Sequence, residues 1–299
     1  MQYRPLGKSS IKISEIGFGC MSLGKNEENT SLRLLHRAVD RGINFFDTAD
    51  LYDKGANETT LGKAFRSMRK DLVLATKVGN QWRDDGSGWD WNPNKEYILK
   101  TAEESLKRLQ TDYIDLYQLH GGTIEDPIDE TVEAFELLKQ QGKILQYGIS
   151  SIRPNVIKEY VKRSFIVSVM MQYSLADRRP EEVFDMLEGN EISILARGVL
   201  AQGLLVDKPA KDYLAHKAES IVNIQKKLQE LSSPERSTSQ TAIQYVLSNP
   251  NVASAVVGIR TMEQLEEVTS NAQRLELQEL NALREAITPI VYEQHRTHH

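Results

Sequence analysis

Thiol chemistry is nearly absent from this 299-residue chain, which carries one cysteine, Cys20. That count excludes an intramolecular disulfide and a Cys-x-x-Cys metal or redox pair, and it fits a reducing compartment. Histidines number six, and no cluster of them argues for a metal. Positive charge is also in deficit. Lys and Arg total 37 against 42 for Asp and Glu, a formal net charge of −5, so no overall basic surface argues for nucleic acid. An anionic ligand must therefore be held by a local cluster of cations. Long apolar runs are missing too: residues 165–171 are typical, and far too short to cross a bilayer. The opening MQYRPLGKSS lacks the apolar core of a signal peptide. The expectation is a soluble, cytoplasmic protein, monomeric or weakly oligomeric, that contacts neither membrane nor nucleic acid. The closing Arg296-Thr297-His298-His299 fits a native end or a tag equally.

What the chain does have is core material in a repeating order. Apolar residues make up 40% and charged residues 26%, a normal globular balance. After a hairpin-like N-terminal piece, eight short apolar runs recur, at 16–20, 43–46, 72–76, 113–119, 144–149, 167–172, 192–196 and 253–257. Most are apolar at consecutive positions, as expected for strands buried on both faces of a parallel sheet. Between them lie helix-period segments such as 29–41, 95–109 and 129–140. Eight alternations of strand and helix predict a (β/α)8 TIM barrel, an α/β fold of roughly 250 residues. Surplus length falls in a long helical stretch at 209–248 and in a tail after Leu275 that adds C-terminal helices. No low-complexity linker interrupts the chain, so a single domain spanning 1–299 is expected. A doubly wound sheet is the alternative, because local patterns cannot show closure.

A barrel of this kind places its chemistry at the C-terminal strand ends. Those ends supply Asp47, Lys77 and His120, with Tyr52 on the loop after the second run. Each has an ordinary explanation alone: a polar turn, a solvent-seeking lysine, a hydrogen-bonded turn histidine, a half-buried loop aromatic. As a set at adjacent strand ends they have a shared chemical reason. A free phenol is a weak acid at neutral pH, with a pKa near ~10. A buried ammonium beside it stabilises the phenolate, and a carboxylate keeps that ammonium charged. A histidine can then orient a carbonyl oxygen near the phenol. Such a group suits protonation of an alkoxide as it forms. No nucleophile stands beside a base, so triad hydrolysis is not suggested. Protonating an alkoxide requires hydride delivery to the carbonyl carbon, which no side chain provides, so a nicotinamide cofactor is needed. The G-x-G-x-x-G fingerprint is absent; Gly17-Phe18-Gly19 is the nearest and weak approach.

The stretches GFGCMSLG (17–24), FFDTADLY (45–52), ATKVG (75–79), SLKRLQTDYIDLYQLHGG (105–122), YGISS (147–151), MQYSL (171–175), LAQGLL (200–205) and VVGIRTMEQLEE (256–267) resemble the aldo-keto reductase superfamily in order and spacing. Bacterial members with a short loop after strand four are the most similar. The resemblance implies a (β/α)8 barrel, binding of NADPH/NADP+ with NADH less favoured, and reduction of a small-molecule carbonyl substrate. It implies a catalytic tetrad of Asp47, Tyr52, Lys77 and His120. It also implies that Gly19, Cys20 and Met21 line the nicotinamide side, and that Ser150, Ser151 and Gln172 hold the carboxamide. Ser151 stands where asparagine is more usual. Arg197 replaces a frequent tyrosine, and its guanidinium can stack on nicotinamide or reach the pyrophosphate. Leu200, Gln202 and Leu204 flank the pyrophosphate by the same resemblance, and Gly258 lies beside the cofactor. Gln264 and Glu267 fall at adenosine positions, while Val268 replaces a frequent asparagine.

Thr261-Met262-Glu263-Gln264 is a capping-box pattern opening a helix after the last strand. Helix N-termini attract phosphate, and Arg260 beside it is a candidate for the NADP 2′-phosphate. All three tryptophans, Trp82, Trp89 and Trp91, crowd the loop after Lys77 and suggest a pocket wall or lid for substrate, or else loop packing on the barrel rim. Arg83, Asp84 and Asp85 could add polar selectivity there or simply be solvated. Arg178-Arg179 reads as a helix-start pair. Two other classes stay open: an NADPH-binding sensor with little turnover, and a Schiff-base lyase using Lys77.

Overall fold

The computed structural model describes residues 1–296; Thr297, His298 and His299 of the closing stretch lie outside the described residues. Eight parallel strands form a closed barrel: β1 Ile16–Gly19, β2 Phe45–Asp47, β3 Val73–Val78, β4 Ile114–Leu119, β5 Ile144–Ser150, β6 Ser168–Gln172, β7 Ser193–Arg197 and β8 Val252–Gly258. Neighbours in the sheet are neighbours in the chain, and β8 pairs with β1 to close the ring. Each expected apolar run is one barrel strand.

The continuous apolarity has a direct cause. In β4, Ile114, Tyr117 and Leu119 belong to the large core between strands and helices, while Leu116 joins a second core inside the barrel with Phe45, Ala75, Met170 and Leu195. Both faces of the strand are therefore removed from water. An N-terminal hairpin, Tyr3–Pro5 paired with Lys12–Ser14, sends Leu6 and Ile13 into the inner core. It plugs one end of the barrel and leaves the C-terminal strand ends open.

Helices α1 Glu28–Asp40, α2 Ala56–Phe65, α3 Lys95–Leu109, α4 Ile128–Gln140, α5 Pro154–Arg163 and α6 Phe184–Gly189 fill the successive crossovers. The stretch expected as one long helical run is two helices, α7 Ala218–Glu230 and α8 Thr238–Leu247. The break falls at Ser232-Ser233-Pro234, where proline has no N–H to continue a helix and Ser237 caps the next one by a capping box with Gln240. α9 Met262–Thr269 and α10 Leu277–Glu285 follow β8. Among the described residues no helix is long and apolar enough to cross a membrane. The segment after β3 is not an open loop: Asn80–Trp82 and Trp89–Trp91 pair as an antiparallel hairpin at the rim.

Candidate active site

Parallel strands bring their C-terminal ends to one rim, and four of the predicted residues meet there. Asp47 is the last residue of β2, Lys77 lies one residue inside the end of β3, and His120 follows β4. Lys77 Nζ donates to Asp47 Oδ2 at 2.7 Å, to the Thr48 carbonyl at 2.6 Å and to the Tyr52 hydroxyl at 3.5 Å. An ammonium has three hydrogens, and each finds an acceptor. Both members of the ion pair are buried, with side-chain exposures of 1% for Lys77 and 6% for Asp47. The other Asp47 oxygen accepts from Gln118 Nε2 at 3.3 Å. Asp47 is thus a partner for Lys77 and caps no helix.

Tyr52 reaches the lysine from a strained turn. Asp53, Lys54 and Gly55 have φ of 51°, 55° and 85°, three successive left-handed residues. For a residue with a Cβ this region costs roughly 1–2 kcal/mol, so the turn needs outside support. Arg108 supplies it, lying so close to Gly55 that a Cβ there would sit 2.7 Å from its Cδ. Arg108 is in turn fixed by Glu58, which is fully buried and accepts from Arg108 Nε at 2.6 Å and from Thr76 Oγ1 at 2.5 Å. Asn57 bridges Thr48 Oγ1 and the Cys20 carbonyl, at 2.7 and 2.9 Å. The first turn of α2 therefore clamps the Tyr52 loop to β1, β2 and β3. None of Thr48, Asn57, Glu58, Arg108 and Gln118 was singled out in the sequence.

The electrostatics follow from burial and neighbours. Burial works to lower the Lys77 pKa, but Asp47 and Tyr52 together outweigh it and the net shift is upward, so the ammonium stays charged. Burial raises the Asp47 pKa, with Lys77 opposing. His120 is driven down to about 3, first by burial and then by the charges of Lys77 and Arg197. The imidazole is neutral at pH 7 and holds one N–H. Its Nδ1 is buried without a hydrogen-bond partner, and its ring stands edge-on to Tyr52 with centroids 5.8 Å apart. An NMR titration of His120 is expected to stay flat between about pH 8 and pH 5, where an unperturbed histidine titrates. A midpoint near 6.5 would show that the ring is not desolvated as described.

The tryptophans divide. Trp91 lies on the backbones of Gly79 and Gly121, where a Cβ would come within 2.6 and 3.2 Å of its ring, and its indole N–H reaches both oxygens of Asp126 at 3.0 Å. It bolts the hairpin to the rim, the packing role that was one of its two readings, while the ring stays only partly buried. Trp82 is half-buried, donates to the Leu51 carbonyl at 3.3 Å and lies under Lys54 Nζ at 5.0 Å, tying the hairpin to the Tyr52 loop. Trp89 is its cross-strand partner and is 47% exposed. Arg83 pairs with Asp90 across the hairpin through Nε and Nη2, an exposed ion pair at the rim. Arg178 and Arg179 open a short 3-10 turn and pair with Glu181 and Asp177.

The cofactor candidates ring the same opening. Gly19, Ser150, Gln172, Arg197 and Gly258 each end a strand, and Ser151 follows Ser150. Met21 is 66% exposed. Cys20 and Leu204 behave otherwise. The Cys20 thiol is fully buried, its pKa pushed well up by that burial, and Leu204 is a core side chain whose carbonyl accepts from Gln225. Neither offers a side chain to the mouth. Leu200 and Gln202 flank a tight turn in which Ala201 and Gln202 are left-handed at φ 46° and 60°. Arg260 is exposed and makes no ion pair among the described residues. The capping box beside it is altered: Thr261 Oγ1 accepts from the Gln264 N–H at 3.2 Å, but Gln264 Oε1 reaches one residue further back, to the Arg260 N–H at 2.9 Å. The Glu267 carboxylate accepts from Ser237 and so braces α8.

These groups fit a nicotinamide nucleotide. Gln172 has both amide hydrogens engaged, by Asp177 Oδ2 at 3.1 Å and the Tyr213 hydroxyl at 2.8 Å, which leaves an acceptor oxygen at the barrel end. The N-terminus of α9, with the exposed Arg260 just before its cap, follows β8, and free helix N–H groups of this kind attract anions.

Known proteins share this architecture and sequence. A family model described as the aldo/keto reductase family matches residues 15–288. The oxidoreductase YqkF of Bacillus subtilis is 52% identical, covering 99% of this chain and 100% of its own. Among solved structures, the aldo-keto reductase AKR11C1 from Bacillus halodurans in its holo form superposes with a TM-score of 0.94 at 48% identity, over 99% of this chain and 100% of that one. Its apo form, over the same shares, gives a TM-score of 0.86 at 46% identity. Matched along nearly its whole length, the chain belongs to the aldo/keto reductase family of oxidoreductases.

Proposed function

We propose that this protein is an NADPH-dependent reductase of aldehydes and ketones in which Tyr52 is the general acid. The observation that carries this reading is the buried Lys77 ammonium, which bridges the Asp47 carboxylate and the Tyr52 hydroxyl. Reduced nicotinamide, when bound, supplies hydride to the carbonyl carbon. The carbonyl oxygen gains negative charge as that happens, and the Tyr52 hydroxyl gives it a proton. Lys77 stabilises the phenolate left behind, at a cost already met in the resting enzyme because the ammonium is held in place by Asp47 and Thr48. Neutral His120 donates a hydrogen bond to the same oxygen and orients it toward Tyr52. The set closes chemically: one carbonyl, one hydride and one proton give one alcohol. Tyr52 is half-buried, so water reprotonates it.

Gln172 Oε1 and the Ser150 and Ser151 hydroxyls would hold the carboxamide, Arg197 the ring or pyrophosphate, and Arg260 with the α9 N-terminus the 2′-phosphate. Names among the relatives point both ways: a Schizosaccharomyces pombe aldo-keto reductase carries NADP(+) in its name, and an Escherichia coli relative is an NADH-specific methylglyoxal reductase. The choice for this chain therefore rests on Arg260. Arg260→Ala is expected to weaken NADPH binding by roughly 1.5–3 kcal/mol, as for hydrogen bonds to charged groups, and NADH far less. Equal loss for both nucleotides, measured by fluorescence titration, would remove Arg260 from the 2′-phosphate site.

A further inference from the structure

A line of side chains runs from the C-terminal tail to the end of β6 without touching the proton donor. Tyr292 is buried at the tail and stacks under the Arg179 guanidinium, 4.9 Å from ring centre to Cζ. Arg179 grips the Asp177 carboxylate with Nε to Oδ1 at 2.7 Å and Nη2 to Oδ2 at 2.8 Å. Asp177 is fully buried and sits in a tight turn closed by reciprocal backbone bonds with Ser174. Its Oδ2 also accepts from Gln172 Nε2, and the second Nε2 hydrogen goes to Tyr213.

An amide side chain has two ends of similar shape and opposite polarity. Which end faces a ligand is decided by what surrounds it. A carboxylate paired with arginine accepts hydrogen bonds and gives none, so only the Nε2 end of Gln172 can point toward Asp177. The acceptor end is thereby turned away from Asp177 and Tyr213.

We infer that Asp177 is a positioning residue for the cofactor: it fixes the polarity of the Gln172 amide so that Oε1 faces the nicotinamide side as an acceptor for the carboxamide N–H. Tyr213, on the loop after β7, takes the second Nε2 hydrogen, and Arg179 with Tyr292 holds Asp177 itself. The inference rests on the proposed role of Gln172 toward the carboxamide and adds the device that gives that role its sign.

Asp177→Asn tests it by equilibrium binding, with no turnover needed. Asparagine keeps the shape but can donate, so the Gln172 amide can turn over and present N–H2 to an N–H2. Two probes are titrated: NADP+ and its acetylpyridine analogue, which has the carbonyl but lacks the amide hydrogens. Asp177→Asn is expected to weaken NADP+ roughly ten-fold or more and to leave the analogue nearly unchanged. Equal weakening of both would mean that Asp177 only supports the loop, and no weakening of either would mean that it does not set the amide; both outcomes overturn the inference. Tyr213→Phe removes a hydroxyl that can accept or donate and leaves Asp177 in place, so it should shift neither probe by more than a small factor. Selective loss of NADP+ there would assign the polarity to Tyr213 and overturn the inference, which keeps it testable if the first variant fails to fold. If the wild-type protein bound neither nucleotide, the proposed function itself would fall; if it bound NADP+ and the analogue equally well, only the inference about Gln172 and Asp177 would.

Discussion

Tyr52→Phe is expected to lower kcat by roughly 10²–10⁴-fold and to leave the NADPH dissociation constant unchanged. The substitution removes one oxygen and its proton from a half-buried ring that otherwise keeps its place edge-on to His120. Nothing in the candidate cofactor ring depends on that hydroxyl. What is lost is the proton source for the developing alkoxide and the phenolate that Lys77 stabilises. The remaining neutral imidazole of His120 can orient the carbonyl, and water can protonate it slowly, which sets the floor of the expected range. A variant that lost NADPH binding in proportion to its activity would place Tyr52 in the nucleotide site and not at the proton-transfer step.

Lys77→Met is expected to be the most damaging single change to stability, by about 3–5 kcal/mol near neutral pH. The reason is the charge that stays behind. Asp47 would be left buried with Gln118 as its one hydrogen-bonding side chain, and an uncompensated carboxylate in such a place is far more costly than the intact pair. Total stability of a folded protein is typically about 5–15 kcal/mol, so this loss is a large share. The sign of its pH dependence is fixed. Asp47 already has a folded-state pKa raised above its ordinary 3.8 by burial, with Lys77 limiting the rise. A group raised in this way stabilises the fold below its unfolded value, and that contribution is lost as pH climbs through the folded value. Without Lys77 the window extends upward. The variant should therefore melt lower at about pH 8 than at about pH 5, where the buried acid is more readily protonated, and the wild-type melting temperature should vary less over that range. Adding Asp47→Asn to Lys77→Met should recover most of the stability and none of the activity. A single variant as stable as the wild type at pH 8 would contradict the picture of a desolvated pair.

The barrel was readable because burial on two faces leaves a continuous apolar run, and the polar residues ending those runs were readable because the fold gives strand ends a common rim. The supports of the site were not. Thr48 and Asn57, Glu58 and Arg108, and Asp47 and Gln118 are brought together across the sheet, and nothing local in the sequence announces such pairs. Gln118 had one available signal: it lies two residues before His120, on the same side of an extended strand. Trp91 was ambiguous for a physical reason, since an indole near an active rim looks the same whether it lines a pocket or lies on bare glycine backbone. Gly79 and Gly121 decide between these only in three dimensions. The break in the 209–248 stretch, by contrast, carried its marker in Ser232-Ser233-Pro234.

The account stands on turnover at the Lys77–Tyr52 pair, and the most direct measurement mixes the wild-type enzyme with NADPH and a panel of aldehydes, ketones and quinones while following the near-ultraviolet absorbance of the reduced nicotinamide. Loss of that absorbance, with one alcohol formed for each cofactor oxidised, is the predicted result. Tight NADPH binding with an absorbance that stays constant across every carbonyl would contradict it, and would make the chain a nucleotide-binding module whose acid never acts.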